Sequence, residues 1–304
     1  MNCYWRVITA YFLMLILASA VILSNKNRHK KSKGKTEGSK KKLGVYVLIN
    51  LLMIGAAWAP YHIFTFLAGL IAGLASYEIA DASRKKRNYR FISPFWYGLT
   101  SFVVVLAIDF LTALMLFKVI IFLIIIHLCL LTFYKMDKNL MPKVSLATMA
   151  VIYIPAFLGC LVALHIDDPT GFYLVFVYLV VAATDAFAEV SGELFGRRKF
   201  APALSPNKTV EGAIGGLLAG AVIAAATACC LPGHKLWQVV MFGLIVSAAS
   251  QLGDLIVSAW KRNLGIKDFS RLLGAHGGII DRFDGVVFAA GVCYLLITGY
   301  QIFK

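Results

Sequence analysis

The chain has 304 residues, is 60% hydrophobic and only 15% charged, with a mean hydropathy of +0.78 and a formal net charge of +15. A soluble globular domain runs nearer half apolar and a quarter charged, so the composition excludes that class and indicates a membrane protein. The basic excess does not by itself indicate a nucleic-acid partner, because membrane proteins concentrate Lys and Arg in their cytoplasmic loops.

A membrane-crossing helix needs about 20 apolar residues. Windows of that kind fall near 7–24, 43–60, 61–80, 97–116, 117–134, 144–166, 171–191, 212–232, 237–258 and 285–303. The predicted fold is therefore all-α, a polytopic integral membrane helical bundle of about ten transmembrane helices. The paired windows in 43–80 and 97–134 each require a tight turn inside one apolar run. "LASA" at 17–20 has only a faint likeness to a signal-peptide cleavage site, and the positive charge follows the apolar run, which favours a retained first span. After that span, "NKNRHKKSKGKTEGSKKK" holds nine Lys or Arg against one Glu and reads as cytoplasmic.

Every second loop then falls on the same side: "DASRKKRNYR", "KMDKNLMPK", "GELFGRRKFAPALSPNKTVEG" and the stretch 261–285, all rich in Lys and Arg. The alternate loops, including the acidic "HIDDPTG", are short and fall outside, as do both termini. The 26–42 run reads as a solvated topogenic loop that can touch anionic lipid headgroups; no nucleic-acid partner is expected. The chain divides into an N-terminal transmembrane region, 1–143, with its basic loop at 25–42, and a C-terminal catalytic transmembrane region, 144–304. Asp109, deep in the fourth window, is a stray carboxylate, with Lys118 either its partner or snorkelling outward. Cys3, Cys129, Cys160, Cys229, Cys230 and Cys293 show no C-x-x-C spacing, so neither a zinc site nor a disulfide framework is expected. They read as small packing residues.

The chemistry concentrates on the cytoplasmic side of the C-terminal half. Asp185 lies inside the seventh window, with Glu189 one turn later on the same face. A carboxylate within a span is costly and marks a site, unless it serves a helix–helix hydrogen bond. In "LSPNKTVEGAIGG", Ser205 reads as an N-cap and Pro206 as the first helical residue. Lys208 and Thr209 then sit in the first turn of the eighth span, where an anion is favoured. "KRNLGIKDFSRLLGAHGGIIDRFDG", 261–285, holds nine ionisable side chains, and Asp254 precedes Lys261 and Arg262 by two turns. Asp281 and Asp284, at i and i+3, share a helix face able to hold one hard cation. Gly277 and Gly278, after His276, allow close backbone approach to a ligand. Carboxylates among Lys and Arg suit an Mg2+-bound triphosphate, the acids holding metal and the cations holding phosphate. A salt-bridged surface loop would explain the charges but not their pairing with H-G-G and D-x-x-D.

"SAWKRNLGIKDFSRLLGAHGGIIDRFDG" resembles the signature of the phosphatidate cytidylyltransferase (CDP-diacylglycerol synthase) family, an ordered pattern with about a dozen fixed positions. "GRRKFAPALSPNKTVEG" and "GD" at 253–254 match further blocks, and the likeness covers roughly 145–304. Trp260 stands where an aliphatic residue is usual, and Val257 where many members have Glu. The resemblance implies transfer of CMP from CTP to phosphatidate, giving CDP-diacylglycerol and pyrophosphate, with Mg2+ and room for a second cation. It implies catalytic roles for Asp254, Lys261, Arg262, Lys267, Asp268, His276, Asp281 and Arg282. Substrate contacts are implied for Ser205, Asn207, Lys208, Thr209, Glu211, Gly277 and Gly278, and metal ligation for Asp185, Asp254, Asp281 and Asp284. The implied partners are CTP, phosphatidate or another lipid phosphate, and membrane lipid, with a homodimer left open. The implied location is the bacterial inner (cytoplasmic) membrane, with the active site facing the cytoplasm. Two alternatives remain: a cytidylyltransferase for another lipid phosphate such as a polyprenyl phosphate, and a membrane transporter. The transporter is disfavoured by the lack of an internal repeat and by clustering of the informative residues on one face.

Overall fold

The computed structural model describes residues 3, 5–12, 51–87, 93–108, 152–270, 272 and 277–302. The windows 7–24, 43–60, 97–116, 117–134, 144–166 and 285–303 lie wholly or partly outside them, as do the loops 26–42, 81–90 and 135–143, and Asp109, Lys118, Cys129, Arg271 and His276. The described chain is helical and membrane-like. Its elements are α1 (Tyr61–Arg87), α2 (Pro94–Ala107), α3 (Ile154–Asp167), α4 (Phe172–Phe195), β1 (Lys199–Ala201), β2 (Ser205–Thr209), α5 (Val210–Ala226), α6 (Leu236–Asn263) and α7 (Ile280–Ile302). Among the described residues α1, α4 and α6 are long and apolar enough to cross a membrane, while α2, α3 and α5 are shorter apolar helices.

Helix ends depart from the apolar windows in one consistent way. α4 continues past its window to Phe195, α6 to Asn263, and α7 begins at Ile280, before its window opens. Backbone hydrogen bonding does not stop where side chains become polar, so these helices carry their apolar register into the charged end of the molecule. Asp185, Glu189, Asp254, Asp281 and Asp284 therefore all stand on regular helix.

Two close helix contacts bring those residues together. Gly212, Gly216 and Gly220 form a flat stripe on α5 at four-residue spacing, which lets α4 approach backbone to backbone. A Cβ at Gly212 would lie 2.6 Å from the Ala188 carbonyl oxygen, and one at Gly216 would lie 2.8 Å from that of Thr184. At Gly253 on α6, a Cβ would lie 2.7 Å from the Asp284 carbonyl oxygen, so α7 packs flush beside Asp254. One hydrophobic core runs from Val7 through α1 and α3 to Ile297, joining the two halves of the chain.

One expectation is corrected here: Cys3 and Cys229 form a disulfide, with Cα atoms 5.6 Å apart across 226 residues of sequence. Cys230 Sγ lies 3.9 Å from Cys3 Sγ. Spacing along the chain gave no hint of this pairing, because only packing brings Cys3 beside the short 3-10 turn, Ala228–Cys230, that follows α5. This cluster lies beyond the C-terminal end of α5, away from the carboxylates at the other end of the bundle.

Candidate active site

The stretch between α4 and α5 folds as an antiparallel hairpin with Lys199 opposite Thr209 and Ala201 opposite Ser205. This corrects the reading of Ser205 as an N-cap and Pro206 as the first helical residue. Ser205–Thr209 is strand β2, and the helix begins at Val210. Thr209 is the N-cap, its Oγ1 accepting the Gly212 N–H at 3.1 Å. Ser-Pro and Thr-Val-Glu-Gly are both plausible helix starts in isolation, and pairing with β1 selects the second. Glu211 steadies the hairpin, its carboxylate accepting the N–H of Arg197 at 3.0 Å and of Arg198 at 3.2 Å. Arg262 ties it to α6, donating from Nε to the Leu204 carbonyl at 3.1 Å.

The hairpin aims Lys208 across to α6, where it pairs with Asp254; both side chains remain about 30% accessible (30% and 29%). The carboxyl of Asp254 also contacts that of Asp284 on α7. Asp185 on α4 lies within the electrostatic reach of Asp254, Lys208 and Glu189. Asp185 itself is solvent-exposed. Three carboxylates from three helices thus converge with Lys208, and Lys261 acts on both Asp254 and Asp284.

Asp281 is placed differently. Its side chain is 4% accessible; Oδ1 accepts Lys261 Nζ at 3.0 Å, and Oδ2 accepts the N–H of Gly278 at 2.8 Å and of Phe269 at 3.1 Å. Both oxygens are engaged in holding the 264–280 loop. Gly277 has φ +79°, in the left-handed region that glycine adopts without strain. Lys267 and Asp268 are exposed on that loop, and Arg282 and Asn207 are exposed at its margin and on the hairpin. Trp260 packs edge-on against Tyr153, with ring centroids 5.5 Å apart, and Val257 is fully buried, so both departures from the family pattern are absorbed by packing.

Sequence reasoning passed over Glu78 on α1. It is 4% accessible; one carboxylate oxygen accepts Ser270 Oγ at 2.6 Å and the Ile279 N–H at 3.0 Å, and the other accepts the Ile280 N–H at 3.2 Å. A signal was present, since Glu78 lies inside the 61–80 apolar window, and the rule that singled out Asp185 applies to it equally.

In donor type, Asp185, Asp254 and Asp284 suit a hard divalent cation. Carboxylates brought into contact repel unless a cation or proton lies between them, and an all-oxygen set suits Mg2+. Their spacing is open: among the described residues, only Cys3, Cys229 and Cys230 place three potential ligand atoms within 4.8 Å of one another.

A family model described as "Cytidylyltransferase family" matches residues 40–300. A phosphatidate cytidylyltransferase of Staphylococcus saprophyticus is 40% identical over 126 residues, 41% of this chain and 48% of that protein. One of Brucella abortus is 46% identical over 134 residues, 42% of this chain and 48% of that protein. The chain spans about half the length of the curated relatives it matches, 48% in each case. With the family model covering residues 40–300 of a 304-residue chain, the protein belongs to the cytidylyltransferase family.

Proposed function

We propose that the protein transfers CMP from CTP to phosphatidate, releasing pyrophosphate and forming CDP-diacylglycerol. The observation that carries this reading is the meeting of Asp185, Asp254 and Asp284, from three helices, with Lys208 and Lys261. The two relatives are named phosphatidate cytidylyltransferases, which supports the choice of substrate.

A phosphate monoester, with a second pKa of about 6, is largely doubly ionised at pH 7 and attacks without a general base. Its oxygen forms a bond to the α-phosphorus of CTP as the bridging oxygen to the β-phosphorus leaves with pyrophosphate. Catalysis then reduces to position and charge. Lys208 is accessible enough to leave Asp254 for a phosphate oxygen, while Lys261, held by Asp281, offers a fixed positive charge. Asp185, Asp254 and Asp284 would hold Mg2+, which neutralises phosphate charge when bound. The family resemblance would add Lys267, His276, Gly277, Gly278 and Arg282 as phosphate contacts.

The test is CMP transfer from labelled CTP by purified protein to a panel containing phosphatidate and a polyprenyl phosphate, with and without divalent cation. Release of pyrophosphate with phosphatidate, only when the cation is present, is expected. Transfer to polyprenyl phosphate alone would reassign the lipid, and no transfer to any lipid phosphate would overturn the reading.

About ten spans in a bacterial inner membrane, with the site on the cytoplasmic side, complete the proposal. The basic loops support that orientation, and so does the Cys3–Cys229 bond, since disulfides persist in oxidising compartments. In sealed right-side-out vesicles, a membrane-impermeant maleimide should label Cys3 and Cys229 only after reduction. A cysteine placed in 261–270 should stay unlabelled until the membrane is opened. Labelling of the 261–270 site from outside would reverse the orientation.

A further inference from the structure

We infer that Glu78, in the N-terminal half of the chain, is a positioning residue that clasps the 264–280 loop and the start of α7 to α1, and so sets the place of Asp284. The inference rests on the function proposed above. The first N–H groups of a helix have no partner within it, and its N-terminal end carries partial positive charge. At α7 those orphan groups are satisfied from α1: the Ile279 N–H donates to Glu78 at 3.0 Å and the Ile280 N–H at 3.2 Å.

The same carboxylate accepts Ser270 Oγ at 2.6 Å, and Ser270 Oγ in turn accepts the Leu272 N–H at 3.1 Å. One side chain, 4% accessible, therefore joins α1, the middle of the loop and the helix carrying Asp281 and Asp284. These contacts span 192 to 202 residues of sequence, so nothing local supplies them. Gly278 supports the assignment. A Cβ there would run into the Glu78 carboxylate, the nearest atom outside its chain neighbours, so the second glycine of "HGG" is a steric requirement of the clasp. Asp281 holds the loop from the other side, through Phe269 and Gly278. Loss of Glu78 leaves that hold intact but frees the first turn of α7, and with it the direction of Asp284.

The experiment uses the full-length protein and two readouts. Glu78→Gln keeps size and one acceptor but presents an N–H donor to a backbone donor. Without nucleotide or metal, amide hydrogen exchange at 279–280 should accelerate at least tenfold, while exchange in α5 stays as in the wild type. In CMP transfer, kcat should fall by about 30-fold or more and the Mg2+ concentration for half-maximal rate should rise several-fold, with KM for the lipid little changed, as expected when one charge-assisted contact is lost. Glu78→Asp should recover part of both. Gly278→Ala should reproduce the exchange pattern, and Glu78→Gln/Gly278→Ala should be no worse than the more impaired single variant. Unchanged exchange at 279–280 overturns the clasp. Faster exchange with unaltered kcat and Mg2+ requirement overturns the positioning role. If the wild type transfers CMP to no lipid phosphate, the functional proposal fails on its own, and the exchange arm still decides the clasp. If Glu78→Gln does not fold, Gly278→Ala and Ser270→Ala carry the same two readouts.

Discussion

Asp284→Asn is expected to abolish CMP transfer, by on the order of 10³-fold or more in kcat/KM, while leaving the protein at least as stable as the wild type. That loss corresponds to about 4 kcal/mol, the scale seen when a preorganised electrostatic contact to the transition state is removed. The stability half follows from the site's electrostatics. Asp284 faces Asp254 and feels Asp185, so in the metal-free protein the substitution relieves like-charge repulsion. Asp254→Asn should match it in activity but not in stability, because it also leaves Lys208 without its carboxylate. Steady-state kinetics with varied Mg2+, alongside thermal unfolding in detergent, check both halves. An Asp284→Asn protein within tenfold of wild-type activity would remove Asp284 from the proposed metal site.

Asp281→Ala should fail for a different reason. It leaves the Lys261 ammonium, 12% accessible, without its partner, and it strips two backbone N–H groups of their acceptor. Breaking a buried pair from one side costs about 3–5 kcal/mol, so the unfolding midpoint should drop well below that of Asp284→Asn. Adding Lys261→Met should return much of that stability, since the stranded charge is gone, yet restore no activity, because the cation proposed to meet the phosphate goes with it. Two aspartates three residues apart would then be separated experimentally, one as a pillar of the loop and the other as a ligand. Equal midpoints for Asp281→Ala and Asp284→Asn would refute that division.

Much of this site was legible beforehand because its chemistry is carried by residue type and spacing. Charge is expensive inside an apolar chain, so Asp185, Asp254 and the 261–285 stretch stood out at once, and the ordered signature tied them to one reaction class. Helix existence was equally readable from apolar length, as α4 and α6 attest. Helix starts were less so, since Ser205 and Thr209 carry equivalent capping chemistry and only the hairpin pairing decides between them.

Partnerships lay beyond the reach of spacing. Periodicity put Asp281 and Asp284 on one face, but which carboxylate meets Asp254 and which meets Lys261 depends on how closely α6 approaches α7, which Gly253 permits. Glu78 caps a helix some 200 residues away, and Cys3 bonds to Cys229 across 226 residues. A linear pattern encodes which groups must be satisfied, namely a buried carboxylate and orphan helix N–H groups. Which of the many chemically equivalent partners satisfies each is settled only when helices distant in sequence pack, because packing geometry rather than residue chemistry chooses among them.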